Sequence, residues 1–126
     1  MVQVAALLFA LICIAVCLFQ VALIFGAPWG ELTLGGRWPG PLPMLGRILA
    51  GASIALLLTF AAIIVSRAGL AFQSLQAFAP SLSWVVVGYC ALGSVANAAT
   101  PSRRERAIWL PSVLCMLFLS TLVALS

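Results

Sequence analysis

The chain has 126 residues, is 65% hydrophobic and only 6% charged, and carries a formal net charge of +4. This balance excludes an ordinary soluble domain, and a chain of this length forms one unit. Without His, Lys or Asp, Ser-His-Asp and Ser-Lys arrangements are also excluded, which leaves acid–base chemistry to Glu31, Glu105, Tyr89 and the thiols.

Between the few charges lie apolar runs, each long enough to cross a hydrocarbon layer about 30 Å thick, which takes roughly 20 helical residues. In lipid such runs must be helices, because every backbone N–H and C=O has to be satisfied within its own segment. No segment alternates polar and apolar residues, so a closed barrel is excluded. The first run, residues 2–25, has no positively charged start and is too long for a secretory signal, so it reads as a retained helix. Gly26 and Pro28 stop it.

Residues 26–44 break the apolar pattern. The stretch from Gly26 to Arg47 holds six of the ten glycines and four of the seven prolines, too many for a helix, so a long structured loop is expected between helices one and two. Gly35-Gly36 can turn a two-residue hairpin that sets Leu34 opposite Arg37 and Thr33 opposite Trp38. Trp29 and Trp38 place the loop at headgroup level.

The second helix is expected over 45–66, bracketed by Arg47 and Arg67. On it Gly51, Ala55, Thr59, Ala62 and Ser66 form a small-residue stripe of the kind that lets helices approach closely in lipid. Residues 67–80 read as an interfacial connector ending at Pro80. The third helix, 81–99, has Trp84 as an interface anchor and Tyr89, Gly93 and Asn97 on one face. The fourth, 103–125, starts at a Ser102/Glu105 capping box, with a kink expected at Pro111. The expected fold is therefore an all-α membrane protein, a bundle of four transmembrane helices forming a single domain.

Loops one–two and three–four share a side and hold five of the six arginines. The positive-inside rule then puts residues 26–44 and 100–106 in the cytoplasm and both termini outside. The use of Arg without Lys points to a GC-rich bacterial genome and a bacterial cytoplasmic membrane.

For chemistry, Glu31 and Glu105 fall on the same face, but a cap and an ion pair are the ordinary uses of such residues. Glu31 is expected to pair with Arg37, Arg47 or Arg106 and fix the loop over the bundle. Arg103, Arg104 and Arg106 are candidate contacts for anionic lipid headgroups. Cys13, Cys17, Cys90 and Cys115 read as packing residues, without the CxxC pairs of small four-helix thiol oxidases. No metal, cofactor or nucleic acid is expected. A carrier needs an ionisable group within the bilayer. The multidrug-exporting small transporters have a Glu in their first helix, where this chain has Gln3 and Gln20.

The two loops resemble those of a group of small uncharacterised bacterial four-helix membrane proteins. The matching residues are Gly26, Ala27, Pro28, Gly30, Gly35, Gly36, Leu42, Pro43 and Arg47, then Asn97, Thr100, Ser102, Glu105 and Arg106. The resemblance implies the four-helix layout and carries no activity with it. The resulting expectation is a multi-pass protein without a catalytic site, structural or accessory to another membrane protein. Glu31, Arg37, Arg47, Asn97, Glu105 and Arg106 are its candidate functional or loop-anchoring residues. Alternatives are a small homo-oligomeric transporter or channel, with a pore lined by Asn97, Thr59 and Tyr89, and a lipid-binding or lipid-modifying enzyme.

Overall fold

A computed structural model describes residues 2–30, 38, 40–100 and 103–126. Among them are four α-helices, α1 (Val2–Ile24), α2 (Met44–Arg67), α3 (Ala79–Ala99) and α4 (Arg103–Ala124), with a 3₁₀ turn at Gln73–Leu75. All four are long and apolar enough to cross a membrane. At 1.5 Å per residue they reach about 32–36 Å, which matches a hydrocarbon layer of about 30 Å. The hairpin expected around Gly35-Gly36, the carboxylate of Glu31, Arg37 and the capping hydroxyl of Ser102 all lie outside the described residues.

The helix ends follow from local chemistry. Gly26 takes φ +97°, and its N–H donates to Leu23 O while that of Ala27 donates to Ala22 O. This pair of bonds closes α1 through a left-handed glycine. Gly69, at φ +78°, closes α2 in the same way, with its own N–H on Ser66 O and that of Leu70 on Val65 O. Helix α3 begins at Ala79, two residues earlier than the sequence suggested. Pro80 falls in its first turn, where the missing N–H would have had no intrahelical partner anyway. Helix α4 runs without a break through Pro111. Pro111 is exposed, as is Ala107, whose carbonyl the proline leaves without its usual partner.

In the bundle α1 lies between α2 and α4, while α3 packs closely on α4 and more loosely on α2. Neighbouring helices run antiparallel. One end, here the loop end, therefore carries residues 25–30 and 40–43 and Thr100, with Arg47, Arg103, Arg104 and Arg106. The far end carries Val2, Arg67, residues 68–78 and Ser126. The main core fills the far half: Phe9, Cys13, Phe60, Ile64, Val86, Met116 and Val123 are all buried.

Packing rather than hydrophobic exclusion has to hold these helices together in lipid, and α3 supplies the small residues for it. Ala79, Ser83, Cys90 and Ser94 are buried on one face of α3. A Cβ added at Gly93 would sit 3.3 Å from Val113 Cγ2. The stripe expected on α2 behaves otherwise. Ser66 is buried, but Ala55 and Thr59 face outward, and α2 turns Gly46, Ala50, Phe60, Ile63 and Ile64 inward instead. Because α2 is apolar all round, spacing alone did not select the inward face.

The described part of the loop is pinned by backbone. Gly30 N–H donates to Gly40 O at 2.9 Å, and a Cβ at Gly30 would lie 2.5 Å from that oxygen and closer still to the carbonyl of Trp38. Gly30→Ala must displace this crossing and should lower stability in detergent by about 1–3 kcal/mol, the usual cost of overpacking. Gly51→Ala meets nothing within 4 Å and should be neutral or stabilising by up to about 1 kcal/mol through helix propensity. Unfolding measurements on both variants that show equal effects would refute the crossing as a constraint.

Candidate functional site

The loop-end half of the bundle is not filled. A cavity of about 510 Å³ lies between all four helices there. Its apolar floor is made by Val16, Leu57, Cys90, Val113 and Met116. Toward the loop end the lining turns polar, with Gln20 of α1, Ser53 of α2, Asn97 and Thr100 of α3, and Glu105 and Ser112 of α4. Eleven residues separate Glu105 from Met116, so the cavity spans about 16 Å along the bundle axis, roughly half the hydrocarbon thickness.

Glu105 is the carboxylate of this lining. It lies in the first turn of α4, where the helix dipole favours a carboxylate, and only 8% of its surface is exposed. The buried hydroxyl of Thr100 donates to Glu105 Oε2 at 3.1 Å, and Arg106 Nη1 donates to Thr100 O at 3.1 Å. The link between α3 and α4 is thus tied to the carboxylate from one side and to a guanidinium from the other.

Three of the other polar groups donate within their own helices. Ser53 Oγ donates to Leu49 O at 3.0 Å, Ser112 Oγ to Ile108 O at 2.9 Å, and Asn97 Nδ2 to Gly93 O at 2.7 Å. Such back-bonding satisfies a hydroxyl proton where no water is available.

Aromatic rings link the cavity to the loop. Trp109 lines the cavity and meets Phe19 edge to face at 4.9 Å between centroids. Phe19 in turn stacks on Trp29 of the loop at 6.0 Å. At the cavity's inner limit Phe60 of α2 and Tyr89 of α3 meet edge to face at 4.9 Å.

Of the residues singled out from sequence, Asn97 and Glu105 come together in this cavity, with Arg106 beside them through Thr100. Tyr89 also lines it, whereas Thr59 is exposed on the outer face, its hydroxyl on Ala55 O. Arg47 sits elsewhere: its Nε donates to Leu42 O at 3.0 Å, and its guanidinium lies close to Gly26 at the C-terminus of α1, where a cation is favoured. Arg103 and Arg104 are exposed at the start of α4. Cys13, Cys17 and Cys90 are buried, while Cys115 is exposed. Among the described residues no three His, Cys, Asp or Glu side chains are grouped to hold a metal.

Sequence reasoning missed Ser53, Thr100, Trp109 and Ser112 as site residues. The available signal was that Asn97, Thr100, Glu105, Trp109 and Ser112 recur at helical spacing on both sides of the link. No protein-family model matches the chain, and comparisons with curated proteins and with solved structures also find no match.

Thr100→Val removes the hydroxyl that donates to the buried carboxylate, and hydrogen bonds to charged groups are worth about 1.5–3 kcal/mol. Thr100→Val should therefore destabilise the protein by that amount in denaturant titration, while Ser112→Ala should change stability by less than about 1 kcal/mol. Equal costs for the two would show that the Thr100–Glu105 bond carries no special weight.

Proposed function

We propose that this is a multi-pass protein of a bacterial cytoplasmic membrane that binds a small molecule in the cavity between its helices, as a carrier does. One observation carries the reading: the buried Glu105 lines a cavity of about 510 Å³ together with Gln20, Asn97 and Thr100. An ionisable side chain inside a bundle, facing a cavity of ligand size, is expensive to maintain without a use. Glu105 takes the place of the embedded carboxylate that the first helix lacks. An accessory or structural role is the second reading. It is favoured by the outward Ala55 and Thr59 of α2, in line with Gly51, where an added Cβ meets nothing within 4 Å; such a face would let another membrane helix approach closely.

The binding reading is tested by thermal shift in mild detergent with ethanolamine, choline, glycerol and lysophosphatidylethanolamine. At least one should raise the melting temperature of the wild type in a saturable way, since a ligand stabilises the state it binds. The same ligand should leave Glu105→Gln unshifted. A panel without any shift, alongside a stoichiometric copurifying protein, would replace this reading by the accessory one.

In our reading the loop end faces the cytoplasm and both ends of the chain face outward, as the arginine distribution implies. A C-terminal reporter active only outside the cytoplasm should therefore be active. Fluorescence from a cytoplasm-only reporter at that position would reverse the orientation.

A further inference from the structure

The lining of the cavity is ordered by depth and by hydrogen-bond character. The protons of Ser53, Ser112 and Thr100 are committed to Leu49 O, Ile108 O and Glu105 respectively. A hydroxyl has one proton and two lone pairs, so these groups can offer an incoming molecule only acceptor positions. Glu105 adds a carboxylate. The three hydroxyls and the carboxylate thus offer acceptors, beside the amides of Gln20 and Asn97, which can both donate and accept. This carboxylate-bearing end suits a ligand that brings N–H or O–H donors. The floor, from Leu57 to Met116, is apolar and suits a hydrocarbon chain.

The way in follows from exposure. Tyr89 is 48% exposed and Ala96 is exposed although both line the cavity, whereas Glu105 and Met116 on α4 are buried. Both open positions are on α3, whose seam with α2 is looser than its seam with α4. The cavity thus opens sideways between α2 and α3, with the Phe60–Tyr89 ring contact as the lower edge of the opening. That side faces lipid. Access from water at the loop end would pass Arg47, Arg103, Arg104 and Arg106, a concentration of positive charge that repels soluble cations. A phosphate-bearing zwitterion at the membrane surface meets no such barrier.

We propose that the ligand is a membrane amphiphile with a donor-bearing amine headgroup, which enters sideways between α2 and α3. Its ammonium takes the acceptors of Glu105 and Asn97, and its chain runs down to Met116. This inference rests on the binding reading above and names the ligand class for that cavity.

Three probes separate its parts: lysophosphatidylethanolamine, lysophosphatidylcholine, which lacks N–H donors, and glycerophosphoethanolamine, which lacks the chain. Dissociation constants measured in mild detergent should favour the first at least tenfold over each of the others. Glu105→Gln should weaken that preference at least fivefold. Ala96→Trp, which obstructs the opening from an exposed position and leaves the acceptors in place, should weaken binding of the first probe similarly. It stands as the test if Glu105→Gln fails to fold. Equal binding of the choline and ethanolamine lipids, or unchanged binding in Ala96→Trp, overturns the inference. If the chainless headgroup binds as tightly as the lipid, the binding reading stands and the amphiphile falls. If no probe binds and the earlier panel is also silent, both fall.

Discussion

Each polar hydrogen placed in hydrocarbon needs an acceptor within the protein, because no water is there to supply one. The demand makes the backbone helical, and it reaches the side chains as well. Ser83 donates to Pro80 O, Ser94 to Cys90 O and Ser120 to Leu117 O, and the same economy holds for Ser53, Ser112 and Asn97 around the cavity. A side chain that spends its proton on its own helix keeps its lone pairs. The rule that permits serines inside a membrane bundle therefore also leaves their lone pairs as the groups that such hydroxyls offer to a cavity.

The two halves of the bundle differ because their residues differ in volume. Phe9, Phe60, Ile64 and Val123 meet in the far half and close it. At the loop end α2 turns Gly46 and Ala50 inward, and α3 presents Ser94 and Ala96. Gly46 is filled by its neighbour, since Leu42, only 3% exposed, lies within 3.1–3.3 Å of where a Cβ would stand. Ser53 and Ala96 border the open space. Large side chains on one half and small ones on the other leave a cavity that ends near the middle of the bundle.

The four spans were legible in the sequence because length and hydropathy suffice for a membrane helix, and glycine and proline marked the ends to within two residues. Which face of each helix turns inward was much less legible. Helix α2 is apolar all round, so the stripe through Gly51, Ala55 and Thr59 fitted the spacing of a packing face as well as the true one did. Asn97 and Glu105 stood out as polar residues near the ends of apolar runs. Thr100, Trp109 and Ser112 did not, because their role depends on the angle at which α3 turns back into α4. That angle is a tertiary property, and no local spacing encodes it. The loop carried the strongest local signals for its Gly35-Gly36 turn, which lies outside the described residues, whereas the Gly30–Gly40 crossing joins positions ten residues apart and left no local mark.

The start of α4 shows how these demands are reconciled. Arg103 and Arg104 are exposed in the first turn of a helix, where the dipole disfavours positive charge. Glu105 follows them and turns inward, and there the dipole and the Thr100 hydroxyl both favour its carboxylate. The cations thus stay on the exposed side of the turn while the anion one residue further on is held within the bundle. Trp109, one turn further on, connects this point through Phe19 to Trp29 in the loop. Three rings in contact thus run from the cavity wall to the loop. Thr100, Glu105 and Trp109 bring the exposed arginines, the buried carboxylate and the ring contacts of the loop to one end of the bundle.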